Sequence, residues 1–190
     1  QQDFLSYAIQ LALDPGEPGL TGHCDYEVQA AGVELQQIVL HAQTGPDYQV
    51  RFVDAQGQAL EAAHDGVAWI VQLGVPLAAG ETFRFRAELA GMPVDGMYWT
   101  ESRYGEPFVY TDHFPERARG WLPCEDHPSD RASFSITIDV PSAREQVACT
   151  GRLQSVETDQ GVRWTARTRS DISSYMLAIA VGPYARVTEE

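Results

Sequence analysis

The sequence of 190 residues contains no lysine, so all 13 of its basic residues are arginines. A chain without lysine cannot form the phosphate-binding loop that requires one, and it cannot use a catalytic or Schiff-base lysine. The basic residues are outnumbered by 27 acidic ones, which gives a formal net charge of −14. Nucleic acids and anionic membranes both bind basic surfaces, so we expect neither as a partner.

Cysteines and long apolar runs are also scarce. Cys24, Cys124 and Cys149 are an odd number at wide spacings, which is not the pattern of a disulfide-stabilised scaffold. The longest apolar run, residues 175–181, is too short to cross a bilayer, so we expect no membrane insertion. The chain begins with two glutamines and not with methionine, so we interpret it as processed or as part of a longer protein. A removed signal peptide would favour an extracytoplasmic or periplasmic location over the cytoplasm.

Most of the sequence alternates apolar and polar residues with the two-residue period of a half-buried β-strand. The alternation is found in residues 7–13, 20–28, 48–52, 67–73, 83–89, 134–140 and 164–168. The first two segments flank a turn with two prolines and two glycines, which predicts an N-terminal hairpin. Residues 175–181 are apolar throughout, which predicts a central strand covered on both faces.

These patterns predict an all-β fold, an antiparallel β-sandwich of several sheets, in a single domain over residues 1–190. We expect about ten strands and less than about a tenth of the residues in helix. Residues 59–64 are the one place where a helical turn is expected. Residues 91–130 have few alternations and five prolines, so we interpret them as a long irregular connection. Long ordered loops often carry function.

Residues with catalytic potential are present, but not in recognised arrangements. The five histidines form no H-x-x-x-H pair, and neither C-x-x-C nor G-x-S-x-G occurs. Residues 124–127 place four potential ligands side by side, but four consecutive residues cannot converge on one ion, so a polar loop is favoured over a metal site. Asp112 and His113 could act as an acid and a base, although neighbouring loop residues of these types often occur by chance.

Aromatic residues are concentrated in the irregular region. They are Tyr98, Trp99, Tyr104, Phe108, Tyr110, Phe114 and Trp121. Such a group is either a platform for a ligand or, more often, the small core that anchors a long loop.

One long segment is more specific than any of these features. Residues 118–134, A-R-G-W-L-P-C-E-D-H-P-S-D-R-A-S-F, resemble the A-R-x-x-x-P-C-x-D-x-P-x-x-K-A-T-F segment of the aminopeptidase N-type (leukotriene-hydrolase-like) family of gluzincin zinc metallopeptidases. Three other segments follow in the family's order: L-D-P with L-T-G in residues 13–22, L-A-A-G-E in residues 77–81 and S-S-Y-M-L-A-I-A-V-G in residues 173–182. Residues 114–123 are similar to the W-P-N-R-A-R-H-W-x-P form of one bacterial branch. The resemblance covers nearly the whole chain and is strongest over residues 110–187.

The resemblance is to the N-terminal domain of these enzymes only. In the family this domain is a saddle-shaped all-β unit, and the zinc-binding H-E-x-x-H and substrate-binding G-x-M-E-N motifs lie in the catalytic domain that follows. Neither motif occurs in residues 1–190. The resemblance therefore implies a non-catalytic domain with no cofactor of its own and with zinc in the absent catalytic domain. The implied partners are that C-terminal catalytic domain and the amino terminus of a peptide substrate.

The resemblance also implies a substrate-binding loop at Thr111 and Asp112. Family members often carry a glutamine shortly before the A-R motif, on a loop that helps to bind the free amino end of the substrate. Counting back from Cys124 places Asp112 at that position. A carboxylate would pair with a peptide ammonium more strongly than an amide would. Arg131 replaces the usual lysine of the pattern and keeps its charge.

The same segment has a physical interpretation of its own. Pro123 and Pro128 restrict the backbone on either side of Asp126, and Arg119 is near enough to form a bidentate pair with that carboxylate. We therefore interpret Arg119, Pro123, Cys124, Asp126 and Pro128 as structural.

Three functions stay open on the sequence alone. The first is the β-domain that caps the catalytic cleft of a zinc aminopeptidase and helps to position the substrate. The second is a stand-alone β-sandwich module that binds a peptide, a carbohydrate or a partner, and the third is a self-contained hydrolase that uses Asp112 and His113. A reading frame that continues past Glu190 into H-E-x-x-H would distinguish the first from the second.

Overall fold

The computed structural model describes residues 1–185, which form fourteen strands and two short 3-10 turns. About 59% of the residues are in strands and 3% are helical, so the predicted all-β class is confirmed. The strands are β1 (Gln2–Asp14), β2 (Glu17–Ala30), β3 (Leu35–His41), β4 (Tyr48–Asp54), β5 (Ala62–His64), β6 (Ala68–Leu77), β7 (Thr82–Gly91), β8 (Met97–Glu101), β9 (Pro107–Thr111), β10 (Ser133–Val140), β11 (Gln146–Cys149), β12 (Arg152–Thr158), β13 (Gly161–Arg167) and β14 (Ile179–Gly182).

The largest sheet has seven strands in the order β12-β13-β10-β1-β2-β7-β4. Its centre is the predicted N-terminal hairpin, in which β1 and β2 pair antiparallel over nearly their full length. Tyr7, Ile9 and Leu11 are buried on one face, because every second side chain of a strand points to the same side. On its other edge β1 pairs with β10 in parallel, so the sheet is mostly but not wholly antiparallel.

An aromatic row at the centre of this sheet forms part of the core. Tyr7 stacks on Phe134 of β10 with ring centroids 4.7 Å apart, and Tyr26 of β2 stacks on Phe85 of β7 at 4.7 Å. Tyr7 and Tyr26 meet edge to face at 5.4 Å and link the two stacks. Stacked and edge-to-face pairs each stabilise a core by roughly 0.5–1.5 kcal/mol beyond the area they bury, so the row holds four neighbouring strands together.

Two smaller sheets complete the fold. One has the order β11-β14-β9-β8, and the other has the order β3-β6-β5. The four-stranded sheet carries the loop that follows β9, which begins at Asp112. The fold therefore places this loop at the end of a paired strand.

Residues 91–130 are more regular than the sequence indicated. They contain the hairpin of β8 and β9, which turns between Ser102 and Glu106. The sequence of β8 does not alternate polar with apolar residues, because the aromatic residues Tyr98 and Trp99 lie on opposite faces of the strand. The two-residue period therefore does not reveal this strand. The prediction of a long irregular connection is wrong for these ten strand residues.

Two further predictions of local structure are wrong. Residues 175–181 do not form one strand: a 3-10 turn spans Ser174–Met176, and β14 begins only at Ile179. The hydroxyl of Ser174 donates to Asp126, which holds this segment in a turn before the strand. Residues 59–64 contain no helical turn, because Leu60 donates a hydrogen bond to Phe52 of β4 and Ala62–His64 pair with β6.

Candidate functional site

Asp112 lies directly after β9, at the end of the four-stranded sheet. Its backbone N–H donates to the carbonyl of Gly96 at 3.0 Å, which ties the start of this loop to the turn before β8. About half of its side chain is exposed. The carboxylate is therefore fixed at its backbone and accessible at its tip.

Arg117 joins the Asp112 carboxylate to a second one. Its Nη1 donates to Oδ2 of Asp112 at 3.0 Å. Its Nε and Nη2 donate to Oδ2 and Oδ1 of Asp95 at 3.1 and 2.7 Å, which is a bidentate pair. The hydroxyl of Tyr98 contacts both Asp95 and Arg117.

The electrostatics of this group, which we call the Asp112 cluster (Asp95, Tyr98, Asp112 and Arg117), follow from these contacts. Hydrogen bonds from Arg117, and then from Tyr98 and the Gly96 amide, lower the pKa of Asp95 to about 2 although its partial burial opposes this. The same pairing with Asp95 raises the pKa of Arg117 above its usual value. Two carboxylates and one guanidinium leave the cluster with a net charge of −1.

His113 is the next residue, but its side chain points into the protein. It is buried, and its Nε2 accepts a hydrogen bond from Nε1 of Trp121 at 2.7 Å. Burial lowers the pKa of His113 to about 4, so the ring is neutral near pH 7. Asp112 and His113 form no hydrogen bond in the part of the chain that the structure describes, so they do not make the acid–base pair that the sequence left open.

Thr111 has a structural contact at the end of β9. Its Oγ1 accepts from the backbone N–H of Ile179 at 2.9 Å, and it lies 3.4 Å from the carbonyl oxygen of the same residue. These contacts join β9 to β14 immediately before the loop. The predicted contact of Thr111 with substrate stays a prediction.

The segment around Asp126 forms a buried polar corner. The carboxylate of Asp126 is buried and accepts from Nε of Arg119 at 2.9 Å and from Oγ of Ser174 at 2.6 Å. The arginine does not make the expected bidentate pair with the two carboxylate oxygens. Its Nη2 instead donates to the backbone carbonyl of Asp126 at 3.0 Å and to Glu116 at 3.1 Å, because Ser174 occupies the second carboxylate oxygen.

The remaining residues of the motif lie around the same corner. Cys124 is buried, and its N–H donates to the carbonyl of His41 at 3.1 Å. The carbonyl of Pro123 accepts from the Tyr26 hydroxyl at 2.9 Å, and that of Pro128 accepts from Ser173 at 2.8 Å. The corner therefore connects the loop to the largest sheet and to the start of the 3-10 turn before β14.

The seven aromatic residues of this region do not form one platform. Trp121, within the loop between β9 and β10, is fully buried. Tyr98, Tyr110 and Phe108 form a row on the four-stranded sheet, with successive ring centroids 5.3 and 5.8 Å apart. Tyr104 and Phe114 are mostly exposed.

Phe114 belongs to an exposed apolar surface beside Asp112. About 71% of Phe114 is exposed, and its ring meets Tyr175 edge to face at 6.2 Å. The neighbouring Met176 is 48% exposed. We call Phe114, Tyr175 and Met176 the Phe114 patch.

The cavity with the largest volume that we describe does not lie at Asp112. A cavity of about 820 Å³ lies elsewhere, between the β1–β2 and β12–β13 turns, and its lining includes neither Thr111 nor Asp112. Within residues 1–185, no three histidine, cysteine, aspartate or glutamate side chains converge as metal ligands would. The same residues include no helix long and apolar enough to span a membrane.

Sequence reasoning identified Asp112 but missed its partners Asp95 and Arg117. Arg117 lies in the F-P-E-R-A-R run that carries part of the resemblance, only five positions after Asp112. Asp95 lies in a short turn, Val94-Asp95-Gly96. Aspartate is common in turns, so its presence there does not indicate a functional residue. The one signal in the sequence was the excess of acidic over basic residues. It indicates that arginines form ion pairs, but it does not indicate with which carboxylates.

Comparison with known proteins gives consistent results. Human glutamyl aminopeptidase (Homo sapiens) is 31% identical over 112 residues, which cover 56% of this chain and 11% of that protein. Aminopeptidase B of Rattus norvegicus is 27% identical over 127 residues, 65% of this chain and 19% of that protein. The chain thus spans less than a fifth of the length of these two relatives.

A solved structure extends the similarity over the whole chain. It is an M1 zinc metallopeptidase variant from Deinococcus radiodurans, bound to a Tyr-Ser-Ala substrate. It superposes with a TM-score of 0.84 at 31% identity, and the match covers 100% of this chain and 44% of that one. The family model of the Peptidase M1 N-terminal domain matches residues 4–176. This chain therefore belongs to the Peptidase M1 N-terminal domain family.

Proposed function

We propose that this chain is the non-catalytic N-terminal β-domain of a zinc-dependent aminopeptidase, where it caps the catalytic cleft and helps to position the amino terminus of the substrate. Membership of the family and the all-β fold support the first part. The observation that carries the second part is the half-exposed carboxylate of Asp112, fixed at the end of β9 within a cluster of net negative charge.

The chemistry of Asp112 suits a peptide ammonium. An ammonium group has three N–H donors and no acceptor, so it requires oxygen acceptors that are not already used. Arg117 occupies Oδ2 of Asp112, and Oδ1 accepts no hydrogen bond within residues 1–185. A cleft that excludes part of the water strengthens this charge pairing, because the effective dielectric constant falls.

The zinc of such an enzyme would be bound outside this chain. An open catalytic zinc site takes three protein ligands, and residues 1–185 bring no such set together. The similarity to an M1 zinc metallopeptidase supports placing the zinc in the catalytic domain. The role of this chain is limited to its own contacts with the substrate and with that domain.

The Phe114 patch is the surface that we propose for contact with the catalytic domain. An exposed Phe114 ring, next to a half-buried Tyr175 and an exposed Met176, is unfavourable in water and favours burial against a partner. Phe114 is two residues from Asp112. A domain that covers Phe114 would therefore also bring Asp112 to the edge of its cleft.

The test is steady-state kinetics of the full-length protein carrying Asp112→Ala. We expect kcat/KM on a peptide with a free amino terminus to fall by the equivalent of roughly 1–3 kcal/mol, the scale for losing a hydrogen bond to a charged group. A peptide inhibitor with a free amine should lose affinity by a similar factor. Its N-acetylated counterpart should bind the variant and the unsubstituted protein equally.

Asp159→Ala is the matched control, because Asp159 is an exposed carboxylate on the β12–β13 turn. It should leave all these constants unchanged. An Asp112→Ala variant with unchanged kcat/KM and unchanged thermal midpoint would remove Asp112 from the substrate site. If this chain alone also bound peptide or carbohydrate, the stand-alone binding module would replace the proposal.

A further inference from the structure

Arg117 divides one guanidinium group between two carboxylates that are far apart in sequence. Two of its nitrogens face Asp95 and a third faces a single oxygen of Asp112. The bidentate pair fixes the plane of the guanidinium, since a fork of two parallel hydrogen bonds allows little rotation. Nη1 is part of the same planar group, so its position is fixed as well. The hydrogen bond from Nη1 therefore reaches the Asp112 carboxylate from a fixed direction.

The backbone around this arginine is also tightly constrained. The N–H of Arg117 donates to the carbonyl of His113 at 2.8 Å. A Cβ atom on Gly96 would lie 2.0 Å from the Arg117 carbonyl oxygen, and one on Gly120 would lie 2.3 Å from the Asp95 carbonyl oxygen. Only glycine fits at both positions, so the segments carrying Asp95 and Arg117 are packed backbone against backbone.

We propose that Arg117 is a positioning residue that orients Asp112 toward the ammonium group of a peptide substrate. This inference rests on the proposed function. Arg117 holds Oδ2, and Oδ1, which accepts no hydrogen bond within residues 1–185, keeps its lone pairs for the ligand. Arg117 itself does not touch the substrate.

The charge of Asp95 is part of this arrangement. If Arg117 paired with Asp112 alone, the two charges would cancel and the ammonium group would gain little. Asp95 supplies the second negative charge, so Asp112 keeps an orienting hydrogen bond within a cluster of net charge −1. Replacing Asp95 with asparagine preserves its size and removes that charge without touching Asp112.

The experiment compares three variants of the full-length protein: Arg117→Met, Asp95→Asn and Asp112→Asn. On a peptide with a free amino terminus, we expect Arg117→Met to raise KM by about 10-fold while kcat changes by less than about 2-fold, because orientation of a ground-state contact is lost. Asp95→Asn should raise KM in the same direction. Arg117→Lys should restore part of the loss, since a lysine keeps the charge but lacks the planar fork.

A double-mutant cycle separates positioning from a general structural effect. If Arg117 acts through Asp112, Arg117→Met should add no further loss in an Asp112→Asn background. Arg163→Met is the matched control, because Arg163 forms a comparable exposed bidentate pair with Asp139 at 2.6 and 2.9 Å. It should leave KM unchanged.

Each outcome bears on one of the two proposals. An Asp112→Asn variant with unchanged KM defeats the role of Asp112 in the proposed function. If Asp112→Asn raises KM but Arg117→Met has the same effect with or without Asp112, only the positioning role is overturned. A fall in KM for Arg117→Met would mean that the arginine competes with the substrate, and it too would overturn the inference. If the Arg117→Met variant is too unstable for kinetic measurements, Asp95→Asn provides the test. An unchanged KM for Asp95→Asn then overturns the positioning role of Arg117.

Discussion

The hydroxyl of Ser174 donates a 2.6 Å hydrogen bond to the buried carboxylate of Asp126, 48 positions earlier in the chain. The contact joins the loop after β9 to the turn before β14. Because Asp126 also accepts from Arg119, one carboxylate both cross-links this loop internally and ties it to the turn before β14. Its loss should therefore affect stability more than an ordinary surface contact would.

Replacement of Asp126 should be more damaging than replacement of Ser174. Ser174→Ala leaves one buried carboxylate oxygen without its donor and should cost about 1–3 kcal/mol. Asp126→Asn leaves the mostly buried Arg119 guanidinium without its main counter-charge and should cost about 3–5 kcal/mol. Urea denaturation measures both. Ser155→Ala, at an exposed serine of β12, should change stability by less than about 0.5 kcal/mol, and equal effects at all three positions would contradict the interpretation.

His113 should make the protein less stable in mild acid. Its pKa is about 4 in the folded state because of burial, against about 6.5 in an unfolded chain. The unfolded state therefore binds more protons between these values, so stability is complete above pH 6.5 and falls as the pH drops toward 4. Over that range the loss reaches about 3 kcal/mol at most.

Denaturation midpoints at pH 7 and pH 4.5 measure this effect. A His113→Gln variant should be less stable at pH 7, where the Trp121 hydrogen bond is disturbed, but its stability should depend less on pH. Ser155→Ala is the control, because Ser155 is exposed and carries no titratable side chain, so it should leave the pH dependence as it is. If the His113→Gln variant has the same pH dependence as the unsubstituted chain, the loss of stability in mild acid is due to other groups.

Asp130 should have the opposite pH dependence. Burial, and then the nearby charges of Glu125 and Asp3, raise its pKa to about 6, above the value of about 3.9 in an unfolded chain. The folded state binds more protons between these values, so stability is complete below about pH 3.9 and is lost as the pH rises through 6. Asp130→Asn should therefore stabilise the protein at pH 8 by about 1 kcal/mol, a value reduced for solvent screening because the group is only half buried.

The gain from Asp130→Asn should largely disappear near pH 4, where the aspartate is protonated in the folded state and about half protonated in the unfolded state. Thermal denaturation of the two proteins at pH 4 and pH 8 checks this. Gln154→Ala, at an exposed residue without a titratable side chain, should show no such difference between the two pH values. A stabilisation by Asp130→Asn that is equal at both pH values would contradict the assignment.

Gly96→Ala should disrupt the backbone contact beneath the Asp112 cluster. Gly96 has a φ of +75°, and an added Cβ would lie 2.0 Å from the Arg117 carbonyl oxygen. We expect a loss of about 2–4 kcal/mol from the left-handed conformation and the clash together. Gly57→Ala is a matched control, since Gly57 has a φ of +78° and open space around it. It should cost only about 1–2 kcal/mol, and equal losses at the two glycines would contradict the close approach.

The sequence determined the fold class and much of the strand pattern. Alternation with a period of two predicted β1, β2, β7 and β10 correctly. Successive side chains of a strand point to opposite faces, so the spacing of the apolar residues shows which face is buried. The turn between residues 14 and 19 predicted the first hairpin. The A-R and P-C-x-D segments identified the family. The role of Asp112, which was counted back from the same segment, stays a prediction.

Tertiary structure decided the partners of these residues. Alternation says which face of a strand is buried but not which strand lies beside it, so the parallel pairing of β1 with β10 could not be read from the pattern. In the same way, no local spacing relates Asp95 to Arg117, which are 22 positions apart, because their contact depends on two glycines that let distant backbones meet. The hydrogen bond that holds the Asp112 carboxylate is therefore set by that long-range packing.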